Sequence, residues 1–446
     1  MTTVARIGTM IAATAVLAAV GCQLGVKYSV GGTVTGLTGQ GQGLVLADNA
    51  GDDLTITSNG TFVFTKGITN NSTYSVTIVT QPANPAQTCT VQNGSGSIEK
   101  ADVTDIIVSC QQAGHFAYVA NQLSNDLSAY SIDATGFLTP IAGSPFAISG
   151  TAPVSLVVDP NGQFLYVANN GSNDVAVFAI NSTTGALVSA GLPIAAGSGP
   201  EALTLDPTGS FLYVANFASN SVSAYTVDSA SGLLTEIANS PFAVGTKPTS
   251  LKVTPSGNFL YVTNFGDGTV DAFAIDTSTG SLSPIFGSPF AAGAGALSIA
   301  MDPSGSFVYV ANETAASISE YSVEASTGVL SAIAGSPLAT GTSPESLAAD
   351  PAGRFVYAAN VTAKNEVAAY ALAPLTGALT LSPSPIGAGV FPVSIVIDPS
   401  GLFAYVANDT SNDVSVYAVD PNTGVMTAVS HSPFAAGNEP RSIAID

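Results

Sequence analysis

Phe164-Leu165-Tyr166-Val167-Ala168-Asn169 recurs in near copies that end at Asn121, Asn216, Asn264, Asn312, Asn360 and Asn408. Successive copies are spaced by 48, 47, 48, 48, 48 and 48 residues. A fixed period of that length marks one supersecondary unit stacked repeatedly against itself. Within the box, Phe164, Tyr166 and Ala168 fall on one face of a strand, and Leu165 and Val167 fall on the other. Both faces are apolar, as in a sheet covered on both sides.

The box takes its place when the copies are aligned. A first strand, Pro153 to Asp159, has counterparts at 200–206, 248–254, 296–302, 344–350, 392–398 and 440–446. Asp159-Pro160-Asn161-Gly162 then suits a type I turn closing a hairpin with a glycine bulge. The box is the second strand, Val175 to Ile180 the third, and a more polar fourth follows the turn Thr183-Thr184-Gly185. Prolines at 145, 193, 241, 289, 337, 385 and 433 mark the connections between units. Four antiparallel strands in each of seven units predict an all-β, seven-bladed β-propeller over 114–446. The repeats begin at His115 with a second strand, and a first strand lies at Pro440 to Asp446. The two are expected to complete one blade and close the ring, where an open solenoid would carry atypical capping repeats.

Residues 27–110 lack the repeat. They form about seven short β-rich runs separated by turn clusters, which predicts a small β-sandwich ahead of the propeller. Cys89 and Cys110 stand in two of these runs and are expected to form a disulfide closing a loop of about 20 residues, a link of roughly 3 kcal/mol in the chain-entropy estimate. Ahead of them, Arg6, the apolar run Ile7 to Val20 and Gly21-Cys22 resemble the signal and lipobox of bacterial lipoproteins. That resemblance implies a signal peptide at 1–21, a lipid-carrying Cys22 and a short tether at 22–26. Gln23, in place of Asp, favours the outer membrane, facing either the periplasm or the cell surface. A plain secretory peptide cut nearby is the alternative.

Nine Lys and Arg stand against thirty Asp and Glu, a formal net charge of -21. Such a chain repels nucleic acid and anionic membrane surfaces, so membrane contact is expected through the lipid alone. The asparagines and Asp-Pro pairs that recur in every unit read as strand caps and turn residues. Calcium in the acidic turns 170–174 or 409–413 lacks a bidentate Glu at suitable spacing, and neither a metal nor a cofactor is expected. Chemistry must come from positions where the units differ. The second residue of each first strand should line one channel mouth: Val154, Glu201, Thr249, Leu297, Glu345, Val393 and Arg441. Glu313, which follows a box asparagine, should share that face. Carboxylates beside one arginine suit acid/base work or the anchoring of an anion, or else form a salt-bridged rim.

Tyr261-Val262-Thr263-Asn264 and the phase of the repeats resemble the YVTN-type and lactonase β-propellers over Gly114 to Asp446. The resemblance implies hydrolysis of 6-phosphogluconolactone or carboxymuconate-type lactones. It extends to Pro440-Arg441 and Asn312-Glu313, while Ser442 stands where the family motif has His. The only histidines, His115 and His431, lie outside that motif. On sequence alone, a monomeric envelope propeller that binds or scaffolds a protein, glycan or small molecule comes first, with Glu201, Thr249 and Arg441 as its binding positions. A lactone hydrolase using Glu313, Glu345 and Arg441 is the alternative.

Overall fold

A computed structural model describes residues 26–37, 43–49, 51–82, 87–112, 115–341, 343–361, 365–382 and 385–446. Cys22, the signal segment and most of the tether lie outside them. The chain divides into two compact units, the first ending at Gln112 and the second beginning at Ala113.

In the first unit, strands 60–63, 30–35, 103–112 and 87–92 form one sheet, and 52–56, 44–48, 73–80 and 95–97 form another. Their inward residues share one core that includes Val30, Val34, Leu44, Leu46, Phe62, Ile106 and Val108. This is a β-sandwich. Cys110 pairs directly with Cys89 across antiparallel strands, with Cα atoms 3.9 Å apart, and the two are joined as a disulfide. Ten strands are present among the described residues where the sequence suggests about seven. Strands 68–69 and 95–97 are too short to show a period, and Leu44–Asp48 carries four apolar residues in a row, Leu44, Val45, Leu46 and Ala47, which mask alternation.

The second unit is seven antiparallel sheets. One runs in the order 153–158, 164–169, 174–180 and 187–189, and five others repeat it. The seventh takes its innermost strand, Pro440–Ile445, from the far end of the chain and pairs it with His115–Asn121. Innermost strands neighbour one another in turn, from 153–158 through 392–397 to 440–445 and back to 153–158, around a central channel. Each blade also carries a two-residue strand, such as Phe146–Ala147, paired with the start of its third strand. The sequence reading placed only a proline-marked connection there.

The Phe-x-Tyr half of the box binds each blade to the next. Tyr213 Oη donates to the Gly280 carbonyl at 3.0 Å, and Tyr118, Tyr166, Tyr261 and Tyr309 do the same to Gly185, Gly232, Gly328 and Gly377. Phe211 packs so closely on Gly280 that a Cβ there would lie 2.4 Å from its ring. Gly280 also has φ +74°, which an L side chain rarely adopts. Tyr405 makes the bond across the closure, onto Gly136 at 3.5 Å, while the Tyr357 hydroxyl has no partner among the described residues. The asparagine ending each box is fully buried. Asn121 donates from Nδ2 to Asp126 at 2.7 Å and Ser128 at 2.9 Å, and so ties the second strand to the third across their turn.

Turn aspartates supply the remaining order. Asp159 accepts the Phe164 N–H at 2.6 Å, and Asp206 and Asp302 do likewise for Phe211 and Phe307. At the closure, Asp446 accepts the Phe116 N–H at 2.6 Å, the same bond formed between residues 330 apart.

One buried carboxylate departs from the repeat. Glu320 is 3% exposed and accepts the Leu379 N–H of the next blade at 3.1 Å. Burial pushes its pKa up, and that hydrogen bond opposes the shift only in part. A carboxyl whose pKa is raised by folding favours the native state fully below the unfolded value, and that contribution is lost as pH rises through the folded value.

Three outcomes are expected. Gly280→Ala should cost about 1–3 kcal/mol of stability and Tyr213→Phe about 1 kcal/mol in denaturant titrations, since the first forces a left-handed residue and the second orphans a buried carbonyl. Glu320→Gln keeps the acceptor and removes the charge. It should therefore raise the melting temperature at pH 8 and leave it nearly unchanged at pH 4.

Candidate functional site

The mouth of the channel is built by two backbone devices that every blade repeats. The first is a β-bulge at the start of the innermost strand: Pro153 pairs with Asn169 and Ser155 with Ala168, which leaves Val154 as the extra residue. All seven innermost strands show the same slip, including Pro440 to Ser442. A bulge re-aims a side chain that regular pleating would direct elsewhere. Here it directs Val154, Glu201, Thr249, Leu297, Glu345, Val393 and Arg441 into one cavity of ≈ 160 Å³. These are the seven positions expected from the sequence.

The second device positions the residue after each box asparagine. Its N–H donates to the carbonyl of the residue preceding the innermost strand: Asn170 to Ala152 at 2.9 Å, Phe217 to Gly199 at 2.7 Å, Glu313 to Gly295 at 2.8 Å and Asp409 to Phe391 at 2.9 Å. Several of those acceptor residues are left-handed, with φ of 52° at Ala152 and 63° at Phe391. The following side chain thereby reaches toward the bulge residue of the next blade. Asn170 Nδ2 donates to Glu201 Oε2 at 3.1 Å, and Asp409 Oδ2 accepts from Arg441 Nη1 at 3.3 Å.

Arg441 is the hinge of the electrostatics. It pairs with Asp409 on one side, and its Nη2 lies 3.8 Å from Glu201 Oε1 on the other. Burial raises the Glu201 pKa, while Arg441 and the Asn170 amide pull it down. Glu345 is the most displaced carboxyl of the site, pushed up to about 7. Burial is the largest cause; Glu313 and Asp409 raise it further, and Arg441 opposes. The structure thus brings Glu201, Glu345 and Arg441 to one cavity and sets Glu313 within electrostatic reach of Glu345. Thr249 lines the wall, but its hydroxyl already bonds the Leu297 carbonyl of the next innermost strand at 2.8 Å.

Asp409 and Asn170 belong to the cluster and were read from the sequence as turn residues. The signal was the register already applied to Glu313: each follows a box asparagine. The histidines lie elsewhere. His115 Nδ1 is 3.2 Å from the Asp446 backbone oxygen, and hydrogen bonding to the Asp446 side chain, outweighing burial, raises its pKa. His431 meets Phe137 edge-on at 5.8 Å. A larger depression of ≈ 410 Å³ between Asp302 and Leu375 offers one carboxylate, which already holds its own turn. Among the described residues no group of three His, Cys, Asp or Glu is arranged to hold a metal, and no helix is long and apolar enough to cross a membrane.

The family profile described as "Lactonase, 7-bladed beta-propeller" matches residues 54–250 and 243–445. Among solved structures, a Bacteroides fragilis protein provisionally named a 6-phosphogluconolactonase is 20% identical, with a TM-score of 0.66 over 75% of this chain and 98% of its own. The Pseudomonas aeruginosa periplasmic gluconolactonase is 19% identical, with a TM-score of 0.64 over 74% and 98%. At such identities the likeness is one of fold. No curated protein matches the chain.

In a carboxyl-selective NMR titration, Glu345 should titrate near pH 7. Glu313→Gln should lower its midpoint and Arg441→Met should raise it. Independence of both variants would show that the three do not share one field.

Proposed function

The chain belongs to the seven-bladed β-propeller lactonase family, and from that premise we propose that its channel mouth hydrolyses a lactone, with Glu345 as general base and Arg441 facing the developing oxyanion. The observation that carries this reading is a half-buried carboxyl whose pKa is pushed up to about 7, sharing one small cavity with a guanidinium that acts on it electrostatically. A base poised near working pH combines the required protonation state with the driving force for proton transfer.

The chemistry balances on these groups. The Glu345 carboxylate takes a proton from water as the water oxygen bonds to the lactone carbonyl carbon. The electron pair moves to the carbonyl oxygen, where Arg441 offsets its charge. As the intermediate collapses, the ring C–O bond breaks and the ring oxygen takes the proton back from Glu345. The product is the open hydroxy acid. Glu313 and Asp409 are positioning residues: Glu313 keeps Glu345 from ionising too early, and Asp409 holds the guanidinium in place.

The family match supports this hydrolase over the binding or scaffolding role that the sequence alone placed first. Seven bulges that aim differing side chains at one point also fit a reaction site better than a passive rim.

With a lactone panel, kcat/KM should rise with pH and level off above about 7, because the ionised carboxyl is the active form. Glu345→Gln should lower it by about 10²- to 10⁴-fold and Arg441→Ala by about 10²- to 10³-fold. Glu313→Gln should move the limb to lower pH. Absence of hydrolysis across the panel, or full activity in Glu345→Gln, would remove the proposal.

A further inference from the structure

We infer that the mouth selects an uncharged lactone ring with an apolar face and rejects lactones carrying a phosphate or carboxylate. The inference deepens the hydrolase reading and rests on it.

Charge is the first ground. Glu201, Glu313, Glu345 and Asp409 face one another around a single guanidinium. Arg441 already has Asp409 at 3.3 Å and Glu201 at 3.8 Å, one carboxylate on each side. An anionic substituent would compete with both and meet the remaining carboxylates with no cation of its own, and like charges brought together across an interface cost several kcal/mol. Lys247 stands on another arc, its ammonium 5.7 Å from the centroid of Phe217. Lys252 lies three residues beyond Thr249 on the same innermost strand, about 10 Å further along the channel at the usual strand rise. Neither has its charge within the arginine's arc.

The second ground is the arc itself. Around the mouth, the position after the box asparagine is polar at Asn170, Glu313 and Asp409 but aromatic at Phe217 and Phe265, which belong to neighbouring blades. The Phe265 N–H is held by the Lys247 carbonyl at 3.0 Å, the same bond that places Glu313. By the register that sets Asn170 over Glu201, Phe217 reaches toward Thr249 and Phe265 toward Leu297. Thr249 has its hydroxyl turned to the backbone and Leu297 is apolar. One sector therefore has Thr249 and Leu297 in the cavity wall with Phe217 and Phe265 on the rim above them, the exposed Lys247 ammonium lying over the Phe217 ring, and the facing sector offers carboxylates. A saturated ring laid on the first presents its carbonyl to the second. The cavity of ≈ 160 Å³ has room for about five waters, the space of one small ring with its substituents.

The test sets δ-valerolactone and δ-gluconolactone against 6-phosphogluconolactone and a carboxymuconate-type lactone. The uncharged pair should show kcat/KM about 100-fold higher or more, consistent with the like-charge penalty. Phe265→Ser should raise KM about tenfold with a smaller change in kcat. Calorimetry with the non-hydrolysable δ-gluconolactam and with 6-phosphogluconate separates this inference from the reaction. Lactam binding without hydrolysis of any lactone would sustain the selectivity and overturn the hydrolase reading. Preference for an anionic lactone, lost in Arg441→Met or Lys252→Met, would overturn the selectivity. Failure of both ligands to bind would overturn it too.

Discussion

The propeller rests on one contact made seven times around, a phenylalanine ring from one blade closing on a glycine in the next, joined at six of the seven by a tyrosine hydroxyl. The glycine must be left-handed to make its turn, and it must lack a Cβ to admit the ring. Each half of the contact demands the same residue for a different reason, so turn chemistry and packing agree. Burial of the tyrosines raises their pKa and keeps the hydroxyl a donor, as Tyr213 and Tyr261 show. A blade edge that would otherwise be an open apolar face is thereby covered by its neighbour.

A scaffold this repetitive leaves little freedom for function, and the mouth uses what remains. The bulge residue and the residue after the box asparagine are held by backbone bonds that do not depend on their side chains. Their identities can vary without disturbing the blade, and Val154, Glu201 and Arg441 occupy equivalent places. Rigidity comes from what the blades share and specificity from what they do not. Burial does most to raise the Glu345 pKa, and the fixed strands hold Glu313 and Asp409 close enough to raise it further against the pull of Arg441.

The architecture was legible because its determinants are periodic. Spacing located the second strands, and the strand at Pro440 announced its pairing with His115. The bulge residues were legible too, since their position follows from strand order. The pairing of Arg441 with Asp409 was not. It joins residues on different blades, and although Asp409 follows a box asparagine, that register alone does not say which side chain of the next blade it meets. The short fifth strands escaped for another reason: two residues carry no period. Glu320 shows a third kind of blindness, because its neighbours in the repeat are small residues and only the fold reveals that it is enclosed.

The strand that completes the first blade sits more than 300 residues from its partner. During synthesis His115–Asn121 emerges among the earliest parts of the ring and then waits, one edge unpaired, until Pro440–Ile445 arrives. Six blades can gather their own strands locally, while the seventh bears the loop-closure entropy of the whole ring. The carboxylates of the mouth stand on both sides of that seam, so Arg441 joins the others only when the last strand docks. Assembly of the site and closure of the fold are then a single event, and a partly made chain carries the acid arc without its one cation.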